Sequence, residues 1–297
     1  MSVTSELAFN ERKKQILAQE KQMRTRMSKI KHKIAVISGK GGVGKSTITV
    51  NLAASFAMHG HANHVGILDA DIHGPSVPKI IGLTGKRLQV SPAGIFPALA
   101  ALGIRVVSMD FLLPNENSPV IWRGPLKMTA IRQFLSDVVW GELDVLIIDL
   151  PPGTGDEPLS VAQFLPEMDG VVIVTIPSEV SQIVVKKAVT FARQLGMPII
   201  GIVENMSGFV CPKCGTKFDI FKSQGGQKIA EEMDVSFLGS IPIDQKICED
   251  SDKGVPFLIE HANAPASMAF KEIVKKIEAF LKSKENSNQE GKPTSSP

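Results

Sequence analysis

The most explicit chemistry in the chain lies in nine residues, Gly39-Lys40-Gly41-Gly42-Val43-Gly44-Lys45-Ser46-Thr47. They fit G-x-x-x-x-G-K-[ST], follow an apolar run at Ile34–Ser38 and open a helical stretch, the setting in which such a loop cradles phosphate. Glycine lets the backbone turn its N–H groups inward around phosphate oxygens. The helix that follows adds the partial positive charge of its first turn. Lys45 is then placed to reach the β- and γ-phosphates, and the Ser46 hydroxyl to ligate Mg²⁺. The expectation is a nucleotide site. Lys40 exceeds the minimal pattern, and a lysine on this turn can reach phosphate in its own chain or in another.

Carboxylates accompany the loop. Asp149 closes the apolar run Val145–Ile148, so it stands at the carboxyl end of a buried strand and can orient Mg²⁺ with its water. Pro151-Pro152-Gly153-Thr154-Gly155-Asp156 follows, a stiff and then permissive segment suited to sensing a γ-phosphate. Asp69 and Asp71 end another strand, Val65–Leu68. One of them is placed to orient an attacking water, and Asp71, further into the loop, is the favoured one; the plainer alternative is a pair of turn-capping aspartates. His73 lies nearby and is given no catalytic role.

Cys211-Pro212-Lys213-Cys214 sets two thiols on one turn, where both can hold a single metal. Tetrahedral zinc and iron–sulfur sites usually take four protein ligands. The chain offers this pair and Cys248, so either two copies pool their pairs or the site is incomplete. Zinc, a cluster and a redox dithiol all remain open on chemistry alone. Cys248 is expected to pack rather than ligate.

These residues need a scaffold of strands with loops at one end. The apolar runs Ile34–Ser38, Val65–Leu68, Ile104–Met109, Val145–Ile148, Gly170–Ile176, Ile199–Val203 and Phe237–Ile241 alternate with helical stretches at 45–59, 125–139, 180–195 and 225–233. Several runs are apolar throughout, as in strands covered on both faces. The rhythm predicts an α/β fold, a mostly parallel twisted sheet flanked by helices, with ligands beyond the carboxyl strand ends. Three units are expected: a basic N-terminal helix or arm at 1–30, an ATPase domain at 31–282 with the cysteine insertion at 205–224, and a disordered tail at 283–297. Residues 266–282 read as an amphipathic helix docked on the core.

Composition narrows the function. The 297 residues contain no Tyr and only 5% aromatics, which argues against base-stacking platforms. Three Cys speak for a reducing compartment, and the N-terminus has no apolar signal region, so the cytoplasm is expected. The net charge of +3 is uneven: residues 1–33 carry nine Lys/Arg against three Glu, leaving the rest acidic. Such an arm can touch anionic lipid or nucleic acid, but a solvated helix is the plainer reading, and neither partner is expected.

In order and spacing, GKGGVGKST (39–47), DADIHGPSVP (69–78), WRGP (122–125), DVLIIDLPPGTGD (144–156), GIVENMSGFVCPKC (201–214) and IPID (241–244) resemble the Mrp/ApbC/Nbp group of iron–sulfur cluster carrier ATPases. That group sits within the deviant Walker A class of P-loop NTPases, with MinD, ParA and nitrogenase iron protein. The resemblance covers roughly residues 30–260 and implies a homodimer with two facing ATP sites and slow, Mg²⁺-dependent hydrolysis. It makes Lys40 the signature lysine that crosses to the partner's nucleotide, Lys45 the phosphate-loop lysine and Asp71 the water-positioning residue. It sets Asp149 near Mg²⁺ and Asn205 at the adenine. Cys211 and Cys214 become half of a 4Fe–4S site bridging two chains, whose cluster passes from donor machinery to apo-proteins. A positioning ATPase of the MinD/ParA kind, or an ATPase with a structural zinc, are the alternatives. The chain departs from the eukaryotic Nbp branch in lacking Cys within residues 1–33, and from many bacterial Mrp proteins in lacking a small N-terminal domain.

Overall fold

Strands that are apolar on both faces must be covered twice, and the computed structural model, which describes residues 3–71, 74–112, 124–164, 168–211, 213–221 and 223–290, shows how. The first half of the chain runs α1 (Val3–Met27), β1 (Ile30–Ser38), α2 (Lys45–Phe56), β2 (Val65–Asp69), α3 (Val77–Ile80), β3 (Gln89–Ser91), β4 (Gly94–Phe96), β5 (Ala98–Leu99), β6 (Arg105–Ser108) and α4 (Gly124–Asp137). The second half runs β7 (Leu143–Asp149), α5 (Asp156–Phe164), β8 (Gly170–Thr175), α6 (Glu179–Gln194), β9 (Ile199–Glu204), β10 (Phe209–Val210) and β11 (Lys217–Phe218). It closes with α7 (Gly225–Glu232), β12 (Phe237–Ser240), α8 (Gln245–Lys253), α9 (Phe257–Glu260) and α10 (Pro265–Glu290).

Eight strands form one sheet in the order β12-β9-β8-β1-β7-β2-β6-β5. All its pairings are parallel except that of β5 with β6. The expected mostly parallel sheet is therefore present. Alternate residues of each central strand enter opposite layers. Ile34 and Val36 of β1 and Val145 and Ile147 of β7 pack with α2, α9 and α10. Ala35, Ile37, Leu146 and Ile148 pack with α4, α6 and α7. Both layers are apolar, which is why these runs show no alternation.

Two ends of the chain extend what the sequence suggested. The basic helix α1 docks on α4: Met27 is buried, Met23 packs beside it, and Gln19 Nε2 lies 3.4 Å from Ser136 Oγ. The terminal helix α10 continues past 282 to Glu290. It buries Phe270, Ile273, Val274, Ile277 and Leu281 against α2 and the sheet. No helix among the described residues is long and apolar enough to cross a membrane.

β1 is central, and its neighbours β7 and β8 run parallel to it. Loops leaving β1, β2 and β7 thus emerge side by side at one edge. Asp69 and Asp149 end their strands as register partners across β2 and β7.

Candidate nucleotide site and cysteine hairpin

The loop between β1 and α2 is built by glycines at positive φ. Gly42 sits at φ 78 and Gly44, the N-cap of α2, at φ 81. No side chain caps α2 among the described residues, so the first N–H groups of the helix face the loop without a capping side chain. That is the arrangement that binds anions. A Cβ on Gly44 would lie 2.3 Å from Asn205 Nδ2, so the left-handed turn and the close approach both require glycine. The loop encloses a cavity of about 240 Å³, bounded also by Asp71, Gly74, Ser76 and Pro152.

Lys45 is 6% exposed, and its ammonium stands 2.7 Å from Asp149 Oδ1 and 3.7 Å from Asp71 Oδ2. Asp149 is wholly buried. Ser46 Oγ donates to its Oδ2 at 2.5 Å and Thr49 Oγ1 to its Oδ1 at 3.0 Å. Asp69, also wholly buried, accepts from Ser108 Oγ at 2.9 Å and from the Asp71 backbone N–H at 3.2 Å. Burial, and then the charge of Asp149, push Asp69 well above the usual carboxylate range. Ser46, Asp71 and Asp149 therefore offer hard oxygen donors beside the phosphate loop, and this set fits Mg²⁺.

The residues singled out from sequence fall as follows. Lys45, Ser46, Asp71 and Asp149 converge. Lys40 is half-buried at the loop's start, its carbonyl accepting from Ser38 Oγ at 3.0 Å. Gly39 passes so close to α6 that a Cβ there would lie 2.5 Å from Val184 Cγ1, whereas one on Gly41 would only reach Pro152 Cγ at 4.0 Å. The Thr47 carbonyl accepts from Asn51 Nδ2 at 2.9 Å. Asn205 Nδ2 donates to the Val43 carbonyl at 2.9 Å, so one amide hydrogen is committed to the loop itself. Ile72, His73, Trp122 and Arg123 lie outside the described residues, and Asp156 begins α5. Thr49 was missed, although its place one helical turn beyond Lys45 was a usable signal. Asp69 was passed over for Asp71, and nothing local marks Ser108 as its partner.

Cys211 and Cys214 lie in the turn that joins β10 to β11. Cys211 N donates to the Thr216 carbonyl at 2.9 Å, and Gly215 N to the Cys211 carbonyl at 2.9 Å. Cys211 is half-buried and Cys214 exposed, both as free thiols. Hydrogen bonds with Thr216, whose Oγ1 is 3.2 Å from Cys214 Sγ, and then with Cys211 hold the Cys214 thiol below its ordinary value. Val210, Phe218, Ile220 and Phe221 are exposed around the turn. Cys248, expected to pack, is exposed on α8, because that helix turns Asp250 inward instead.

Sequence reasoning also missed the device that closes the insertion. Glu204, wholly buried at the end of β9, accepts from Ser207 Oγ and from the backbone N–H groups of Gln224 and Gly226. One carboxylate thus ties both ends of the segment that carries the cysteines. The segment is further laced to the chain after β12 by Ser207 N to Ile241 O and Ile243 N to Gly208 O.

Residues 29–278 match the family model described as ParA, NUBPL iron-transfer P-loop NTPase. An iron–sulfur cluster carrier protein of Methanocaldococcus jannaschii is 56% identical over 265 residues, 89% of this chain and 90% of that one. A nucleotide-binding protein of Archaeoglobus fulgidus, solved with ADP and with cobalt found in it, superposes with TM-score 0.73 at 43% identity, covering 84% of this chain and 95% of that one. The cell division ATPase MinD of Pyrococcus furiosus shares the fold, with TM-score 0.64 at 21% identity over 84% of this chain and 99% of that one.

Proposed function

This chain belongs to the ParA, NUBPL iron-transfer family of P-loop NTPases, and from that premise we propose that it is an ATP-dependent carrier of iron–sulfur clusters. Two copies would pool Cys211 and Cys214 to hold one bridging 4Fe–4S cluster as cargo, and would pass it to apo-proteins after loading by donor machinery. A tetrathiolate needs four ligands, and the hairpin supplies two. The exposed apolar side chains around the hairpin suit a surface that is covered when the two pairs meet.

One observation carries the coupling between nucleotide and cargo. Asn205 grips the Val43 carbonyl inside the phosphate loop, and Cys211 follows six residues later on a segment tied down at both ends by Glu204. A shift of the loop on binding phosphate is therefore passed to the cysteine turn over a short, restrained path. Contacts to the γ-phosphate favour one arrangement, and that arrangement grips the cargo differently. Lys45 and the uncapped start of α2 bind the phosphates. Ser46 and Asp149 would hold Mg²⁺, which would supply charge neutralisation at the phosphates. Asp71, 8% exposed at the rim of the cavity, orients the attacking water. Lys40 crosses to the partner's nucleotide, and Asn205 turns its remaining polar capacity to the base. The cytoplasm is the proposed setting.

Anaerobic reconstitution with ferrous iron and sulfide tests this reading. Absorption near 400 nm should appear with about four iron atoms per dimer, as a 4Fe–4S cluster requires. Cys211→Ala or Cys214→Ala should bring the iron content close to nothing. Normal loading in both variants overturns the ligand assignment, and stoichiometric zinc without sulfide uptake means a structural site instead.

A further inference from the structure

A second cluster of ligand-type side chains lies at the corner between α8 and α9. Asp250, Glu260 and His261 bring one donor atom each within 4.8 Å of one another. Asp250 is 1% exposed, and among the described residues its Oδ2 has no hydrogen-bond partner. Its other oxygen, Oδ1, lies 3.2 Å from Lys253 Nζ. A buried carboxylate oxygen left in this way is costly unless something cationic meets it.

His261 Nε2 stands 3.1 Å from that same Oδ2 without forming a hydrogen bond. Two ligands of one metal, each about 2.1 Å from it, stand about 3.0–3.4 Å apart at octahedral to tetrahedral angles. The observed spacing fits a chelating pair, and equally an ion pair with the imidazole when it is protonated. The imidazole packs on one side against Phe257, the ring centroids 5.0 Å apart, and the His261 main chain is fixed by its carbonyl accepting from Ser267 Oγ at 2.7 Å. Two carboxylates against one lysine leave a net negative corner when the imidazole is neutral.

We infer that Asp250, Glu260 and His261 form a metal site for a first-row divalent cation, separate from both the phosphate loop and the cysteine hairpin. One imidazole and two carboxylates suit zinc, manganese or ferrous iron better than calcium, which prefers oxygen alone, or ions that seek thiolates. Three protein ligands leave the remaining positions to water, and Glu260 and His261 face solvent, so the cation has an entry path. Occupancy ties α8 to α9. Phe257 and Leu258 of α9 share the buried layer with α2, and the backbone at Gly254, after α8, touches Gly82 beyond α3. The cation thus braces the elements that back the phosphate-loop helix.

The test titrates Mn²⁺ into the full-length protein and counts bound ions by electron paramagnetic resonance. Wild type should bind one more Mn²⁺ per chain than His261→Ala, and Glu260→Gln should weaken that ion about tenfold or more. Zn²⁺ should raise the Tm of a Cys211→Ala/Cys214→Ala protein, and adding His261→Ala should remove the rise. Should Asp250→Asn fail to fold, the two solvent-facing substitutions still decide. Equal Mn²⁺ counts and affinities in wild type, His261→Ala and Glu260→Gln overturn the assignment. This site is independent of the cluster proposal, because iron and sulfide loading at the hairpin should be the same in His261→Ala as in wild type.

Discussion

Three acidic side chains and one lysine meet within the floor of the phosphate site, and they are not equivalent. Lys45 lies closer to Asp149 than to Asp71, with both in reach. Replacing Lys45 by Ala removes the cation that meets the phosphates, so hydrolysis should fall to background, measured as phosphate release. Iron loading at the hairpin should persist; undiminished turnover would refute the role. Asp69 makes a different prediction. Its pKa is raised by burial and by Asp149, so the folded chain holds a proton there that the unfolded chain releases. Stability is then lost as pH rises from the ordinary carboxylate value of 3.8 towards the raised one. Asp69→Asn removes that loss. It should melt higher than wild type at neutral pH without nucleotide and show a flatter pH profile; a uniformly lower Tm would sink the account. The sequence made Lys45, Ser46 and Asp149 legible because a motif or a strand end marks each. It favoured Asp71 over Asp69 on position in the loop alone, because the partners that define Asp69, Ser108 and Asp149, are brought near only by the folded sheet.

Elements differ in how plainly they announce themselves. β1, β7 and β8 were readable because both faces are covered, so their apolar runs are unbroken. The short hairpins β3–β4 and β10–β11 have only two or three residues per strand, too few for any periodicity to register. Yet the second of these holds the cysteines, and its place is set by Glu204 and Asn205 at the end of β9. Asn205→Ala leaves Glu204 closing the base of the insertion, so reconstitution should reach the wild-type iron content. What it breaks is the link to the Val43 carbonyl and the proposed contact to the base, so the comparison is made at saturating ATP. The rate of cluster transfer to an apo-protein acceptor should then lose its dependence on ATP. An ATP effect of wild-type size in Asn205→Ala would show that the signal takes another route.

At the scale of the whole molecule, α10 covers the sheet face on which α2 also packs, and its C-terminal half reaches His61 and His32 near the start of β7 and β1. Its apolar face was visible in the sequence, but its target was not, since strand order decides which surface lies open to receive it. Ile277, wholly buried in the layer shared with α2, makes the packing measurable: Ile277→Ala should cost about 2–5 kcal/mol in urea unfolding. The polar side of the contact joins carboxylates, imidazoles and a lysine. His61 lies between Asp144, at 3.0 Å, and Glu278 of α10, at 3.3 Å. His32 lies 3.3 Å from Glu285, and Lys284 Nζ donates to the Asp169 carbonyl at 3.0 Å. Burial alone would raise Asp144, but hydrogen bonds from Lys31 and His61 outweigh it and hold this carboxyl below its ordinary value of 3.8. A depressed carboxyl stabilises the fold at every pH above that ordinary value and stops doing so as pH falls through the folded one. Wild type should therefore be more stable than Asp144→Asn at neutral pH, and the gap should close only below 3.8. Equilibrium denaturation at stepped pH reads this directly. A gap that persists unchanged in strong acid would mean that Asp144 acts through packing, and that the helix is held to the sheet by its apolar face alone.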